Sequence, residues 1–293
     1  MKSVFVSIVC SLFFNFAHAS LEVNVPFPPG GAVDIIGRHL GEYLNKNGYS
    51  NFNTNTPGAG GDIGLNHVIT KKNNVIMVSG HGPIVFRSLE QKKENAYIKD
   101  TVVIGPIFSV PQGILSSSSS FKNINELVVS AKAEELPCGI SNTQGTAELK
   151  KFNTLHGTKF VPVNYKGSAE LRNDLVGNHI KCAYDTLNTH YSLIKSDKIR
   201  LLAITQLEKD FENVPLLSST LSSGNSVSWY AMVLPKDSNL LLDTKLIDLL
   251  HRYTNDPTVH SEMKEKGFSP SKIDKNFNAF VEDTTKKYLP FFK

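Results

Sequence analysis

Short apolar runs and amphipathic stretches alternate along most of the chain. Residues 21–27 (LEVNVPF) read as a strand. Ile35, Ile36, His39, Leu40, Tyr43 and Leu44 then recur at the three-and-four spacing that lines one face of a helix. The same β-then-α rhythm returns with a strand around Phe52, a helix over 61–70 and strands over 75–79 and 101–108. Strand-like runs at 136–141, 159–163 and 180–184 lead into helical patterns ending at His156, covering 169–175 and centred near Leu193, and 199–205 adds a further strand. After an apolar strand over 229–234 only helical patterns follow, at 240–250, 259–266 and 277–288. Strands joined through helices need crossover connections, so this pattern predicts an α/β protein with largely parallel sheets buried on both faces.

Two polar stretches break the rhythm. Pro111-Gln112-Gly113 with the serine run over 116–120 has the composition of a linker, as does 218–228. Taken as a pair of crossings, they divide the chain into a discontinuous first domain, 20–112 with 228–293, and a second domain over 113–227. A length of 293 residues, at about 150 per domain, allows two such units. The single Trp, Trp229, falls at the return crossing, where it is expected either to report lobe closure or to be an ordinary packed aromatic.

Composition narrows the class. Hydrophobic residues make up 40% and charged residues 20%, with 17 Phe and 9 Tyr, which excludes a disordered chain. A formal charge of +4, dispersed along the sequence, argues against a nucleic-acid partner. Lys2 precedes an apolar run over 4–16 that closes on Ala17-His18-Ala19, which predicts a signal peptide over 1–19 cleaved after Ala19. The run is too short for a membrane span, and Val9 before Cys10 does not suit a lipid anchor. Cys138 and Cys182 remain; a chain this long does not need a staple, and their pairing is not the favoured expectation.

Three loops between strand and helix carry the candidate chemistry. In Pro26-Phe27-Pro28-Pro29-Gly30-Gly31-Ala32-Val33-Asp34, glycines leave amides uncovered at a helix N-terminus, where the macrodipole favours an anion such as a carboxylate. The same residues also fit a plain tight turn with Asp34 in the first helical turn. Thr56-Pro57-Gly58-Ala59-Gly60-Gly61-Asp62-Ile63-Gly64 opens a second helix but fits neither the dinucleotide nor the phosphate-loop spacing, leaving an exposed backbone loop or close helix packing. Ser141-Asn142-Thr143-Gln144-Gly145-Thr146 offers hydroxyls and amides, or is an ordinary helix cap. Tyr165-Lys166-Gly167-Ser168 and Tyr184-Asp185 are further loop candidates. Neither H-E-x-x-H, C-x-x-C nor G-x-S-x-G occurs, and of the scattered histidines only His81, in Gly80-His81-Gly82, invites inspection.

In order and spacing these segments resemble the substrate-binding proteins of tripartite tricarboxylate transporters, the Bug family. The likeness is carried by Pro26-Phe27-x-x-Gly30-Gly31-x-x-Asp34-x-x-x-Arg38, by Asn55-x-Pro57-Gly58-Ala59-Gly60-Gly61-x-Ile63-Gly64, and by Val163-x-Tyr165-Lys166-Gly167-Ser168. Gly145-Thr146, Asp174-Leu175-x-Gly177, Asp185, Leu202-Ala203-Ile204-Thr205, Val214-Pro215, Trp229, Pro235, Asp256-Pro257 and Gly267 belong to the same ordered set. Lys71-Lys72-Asn73-Asn74 replaces the family's Asp-Gly-Tyr-Thr-like stretch, which marks a divergent member.

The resemblance implies a two-lobed periplasmic binding protein of type II-like fold, with two crossing segments and the ligand cleft between the lobes. It also implies a small carboxylate held by amides, hydroxyls and water, delivered to a membrane permease by a monomer with no cofactor, metal or catalytic residue. The expected ligand set is Phe27, Pro28, Pro29, Gly30, Gly31 and Asp34 from the first loop, with Gly60 and Gly61 from the second. Ser79 at a strand end, Ser141, Thr143, Gln144 and Thr146 from the third loop, Tyr165 and Asp185 complete it. Asp185 is expected to order water or a polar ligand group rather than to pair with a cation of the protein. The alternatives are a receptor that signals to a sensor kinase, or a secreted α/β hydrolase using an unrecognised Ser with His81.

Overall fold

The alternation builds two sheets, each covered by helices on both faces. The structure is a computed structural model describing residues 20–221, 228–271 and 277–292. The expected export signal and the domain limit at residue 227 lie outside the described residues. The described residues begin with β1 (Leu21–Val25), α1 (Ala32–Lys46), β2 (Asn51–Asn55), α2 (Asp62–Lys71), β3 (Val75–Gly80), α3 (Arg87–Gln91), α4 (Ala96–Asp100) and β4 (Thr101–Val110). It continues through β5 (Gln112–Ser117), α5 (Ile124–Ala133), β6 (Leu136–Ile140), α6 (Thr143–His156), β7 (Phe160–Asn164), α7 (Ser168–Val176), β8 (Cys182–Thr186), α8 (Tyr191–Lys195), β9 (Ile199–Ile204) and α9 (Leu217–Thr220). β10 (Ser228–Pro235), α10 (Thr244–Asn255), α11 (Pro257–Glu265), β11 (Ser269–Pro270) and α12 (Phe277–Tyr288) close it.

One sheet has the order β11-β4-β10-β3-β1-β2 and the other β7-β6-β8-β5-β9, so the fold is two-lobed. The expectation of largely parallel sheets needs correction. β2, β1 and β3 are parallel, as are β7, β6 and β8, but β10 runs antiparallel to β3 and β4, and β5 antiparallel to β8 and β9. Both inserted strands adjoin a passage between the sheets, and an antiparallel neighbour needs no helical crossover.

Pro111 alone separates β4 from β5, and Gln112, the expected last residue of the first domain, is the first residue of β5. The serine run read as linker is partly strand: Ser116 and Ser117 are buried in β5. Burial is tolerated because Ser116 Oγ donates to the Ser117 and Lys181 carbonyls and accepts from the Phe121 amide. Cys138 and Cys182, opposite each other on parallel β6 and β8 with Cα atoms 4.9 Å apart, form a disulfide, contrary to the expectation. Trp229 lies inside β10, stacked on His81 at 4.9 Å and edge-on to Phe277, so it is a packed core aromatic.

β1 alternates Leu21, Val23 and Val25 with Glu22 and Asn24, yet all five residues are buried. Glu22 is only 2% exposed, and its carboxylate accepts from Lys71 Nζ (2.6 Å), His67 Nε2 (3.0 Å), Thr54 Oγ1 and Asn24 Nδ2 (3.3 Å). Burial alone would raise its pKa, but the bonds from Lys71, Thr54 and His67 outweigh this and hold it at about 2. A depressed carboxylate pKa stabilises the fold at pH above the unfolded value, and the gain is lost as pH falls through the folded one. We therefore expect Lys71→Met to lower unfolding free energy at pH 7 by about 1–3 kcal/mol, the cost of leaving a buried charge short of a partner. The deficit should shrink toward zero as pH falls from about 5 to 2, in denaturant titrations of both proteins; a pH-independent deficit would contradict the pairing.

Candidate ligand cleft

A helix cannot bond its own first amides, and they must find partners elsewhere. Three such ends meet at one cavity of about 640 Å³, its open mouth included. Its walls include Gly31, Ala32 and Val33 at the start of α1, Ser141 and Asn142 at the start of α6, and Gly167 to Glu170 at the start of α7. Neither α1 nor α7 has a side-chain cap, whereas Asn142 caps α6 by accepting from the Gly145 amide at 3.1 Å. Gly80, Pro83, Thr186, Ser228 and Tyr230 close the floor, and among the described residues Glu170 is the sole charged side chain of the lining. Among the described residues no Lys or Arg lines it, so an anion here would be met by amides, hydroxyls and helix dipoles.

The first loop is held from behind. Asp34 Oδ2 accepts from the Gly30 amide (2.9 Å) and Arg38 Nε (2.9 Å), while Asn55 Nδ2 donates to Asp34 Oδ1 and to the Phe27 carbonyl, each at 2.9 Å. Burial pushes the Asp34 carboxyl up, and the Arg38, Gly30 and Asn55 bonds more than offset it, so it lies below the usual carboxylate range. Phe27, Pro28, Pro29 and Gly31 thus face the cavity, whereas Gly30 has spent its amide on Asp34 and Asp34 itself sits behind the loop. Gly30 has φ +87°, which accounts for glycine there.

Other expected ligand residues lie elsewhere. A side chain at Gly60 would meet Arg87 and one at Gly61 would meet Pro83, so this loop backs the cavity wall without entering it. Ser79 points into the first lobe and donates to Tyr97 Oη at 3.1 Å. Thr143 lies against Gly82, and Gln144 and Thr146 are buried in the first turns of α6; of the third loop only Ser141, with Asn142, reaches the lining. Tyr165 turns away to donate to Asp174 Oδ2 at 2.8 Å.

Asp185 needs the fullest correction. It is fully buried, and it pairs with a protein group after all: His190 Nε2 donates to Oδ2 at 2.9 Å, and Ser141 Oγ donates to Oδ1 at 2.6 Å. Burial raises its pKa, but the His190 bond and charge, with the Ser141 and Ser168 hydroxyls, bring it below the ordinary value. A buried carboxylate without such partners would be prohibitive, which is why the residue faces inward. His190 carries no sequence signal; the loop Gly167-Ser168 was visible, but not that Ser168 and Glu170 line the cavity. The carboxylate stands between Ser141 and His190, so this imidazole does not sit on the hydroxyl as a nucleophile's base must. Among the described residues no three His, Cys, Asp or Glu side chains gather as a metal site, and no helix is long and apolar enough to cross a membrane.

The family model for the tripartite tricarboxylate transporter family receptor matches residues 44–293. The chain belongs to this receptor family. It is 28% identical over 242 residues to a UPF0065 protein of Bordetella bronchiseptica, covering 78% of this chain and 70% of the relative. A Rhodopseudomonas palustris protein solved with adipate superposes with TM-score 0.82 at 20% identity, covering 94% of this chain and 97% of the other. MatC of the same organism, solved with bound malate, gives 0.80 at 17%, covering 95% and 100%. These likenesses establish the two-lobed periplasmic binding-protein fold of the receptor.

In the receptor's cleft, Gly31 has φ −87° and nothing within 4 Å of where a Cβ would stand. The backbone there accepts a side chain, its Cβ would stand in open space, and the position lines the cavity. Gly31→Val should melt like the wild type and bind its ligand more than about tenfold more weakly by calorimetry. Unchanged affinity would remove the first loop from the site.

Proposed function

We propose that the receptor works in the periplasm, where it captures a small carboxylate between its lobes and presents it to the membrane permease of a tripartite tricarboxylate transporter. The observation that carries this reading is the meeting of three helix N-termini at a cavity that no cationic side chain lines among the described residues. Amides at helix ends hold an anion without an arginine clamp, and water can fill the remaining positions at little cost in affinity. The adipate- and malate-bound relatives support the ligand class. The basic, apolar, small-residue order of the first nineteen positions supports export with cleavage after Ala19. The protein acts as a monomer, by binding alone, with no chemical step and no cofactor; the hydroxyl, carboxylate and imidazole beneath the cleft serve to position groups.

A thermal-shift screen of mono-, di- and tricarboxylates on the chain from Ser20 tests the reading. A ligand that binds only the folded state adds about 2.7 kcal/mol of stability at a hundredfold excess over Kd. At least one carboxylate should raise the melting temperature with saturating dose dependence. A flat response across the whole panel would sink the proposed ligand class.

A further inference from the structure

The hydrogen bonds beneath the cleft run in one direction. Ser168 Oγ donates to Ser141 Oγ at 3.2 Å, Ser141 Oγ donates to Asp185 Oδ1 at 2.6 Å, and His190 Nε2 donates to the other oxygen at 2.9 Å. An ionised carboxylate can only accept, so the Ser141 hydrogen is committed to Asp185 and the Ser168 hydrogen to Ser141. Ser168 lines the cavity, and its side chain therefore offers the cleft lone pairs and no proton. Glu170, two residues further along α7, lines the cavity as well and brings a carboxylate. The Lys166 amide reaches its Oε2 only at a long 3.4 Å, which leaves both oxygens with acceptor capacity.

Glu170 also stands in the first turn of α7, where its charge offsets the positive end of that helix. Of the three helix ends, α7 is thus the least suited to a ligand anion, and its wall is the one whose side chains accept. That wall lies close to the first loop: a Cβ on Gly167 would come within 3.6 Å of Pro28. A small ligand seated on the α1 amides therefore reaches it with its other end.

We infer that the cleft selects a carboxylate that also carries an ammonium group, with the carboxylate at the starts of α1 and α6 and the ammonium against Glu170 and Ser168. The inference rests on the carboxylate reading and narrows it. A second carboxylate placed at this wall meets the like charge of Glu170, whereas an ammonium meets side chains that accept.

Calorimetry on the chain from Ser20, with two sets of probes matched in length, tests this. One set is succinate, aspartate, 3-aminopropanoate and propanoate; the other is glutarate, glutamate, 4-aminobutyrate and butyrate. At one of these lengths an amino carboxylate should bind at least about tenfold tighter than its amine-free counterparts. Glu170 is exposed, so Glu170→Gln should keep the wild-type melting temperature while cutting that preference to about twofold or less. Tightest binding of a diacid at both lengths, or an undiminished preference in Glu170→Gln, would overturn the ammonium assignment and leave the carboxylate reading standing. Silence from every probe in both sets would overturn the ammonium assignment at these lengths, and the carboxylate reading would then fall only if the wider thermal-shift panel were flat as well.

Discussion

The first amides of a helix have no partner within the helix, and in this receptor that constraint shapes the cleft. α1 and α7 begin without a side-chain cap, at a cavity both of them line. Everything nearby serves to keep those ends in place and open. Asp34, with Arg38 and Asn55, ties down the loop before α1; the Asn142 cap fixes the start of α6; Asp185 and His190 anchor the hydroxyls between α6 and α7. Charge is placed behind the wall, where it positions groups, and is nearly absent from the wall itself.

The lobes are tied by more than the crossing strands. Ala147 of α6, in the second lobe, packs in the apolar cluster of the first sheet with Phe86 and Tyr288, and Tyr288 Oη donates to the buried Glu148. α6 thus serves twice: its first residues line or back the cleft, and its next turn docks against residues 82–86 and against Tyr288 at the end of α12. A change in lobe angle acts on both at once, which couples cleft geometry to the packing around α12.

Much of this was legible from periodicity. The alternation of apolar runs and helical faces located nearly all the longer elements, and the Pro111 crossing and the loops before α1 and α6 were visible as glycine or cap residues between strand and helix. What sequence hid was long-range pairing. Nothing in Trp229 to Leu234 says that the strand inserts between β3 and β4, and Ser116 and Ser117 read as linker because their hydroxyl partners lie in residues distant along the chain. Asp185 read as a loop acid for the same reason, since only the fold brings Ser141 and His190 to its two oxygens. Gly60 and Gly61 lie beside a helix end, as their pattern implies, but whether such an end enters a cavity or backs it depends on Arg87 and Pro83.

A crystal structure with a bound carboxylate would test the central claim most directly. The account predicts ligand carboxylate oxygens about 2.7–3.2 Å from amides in the first turn of α1 or at the start of α6, with no Lys or Arg side chain in contact. A ligand carboxylate paired with a basic side chain, or seated away from the helix ends, would contradict it.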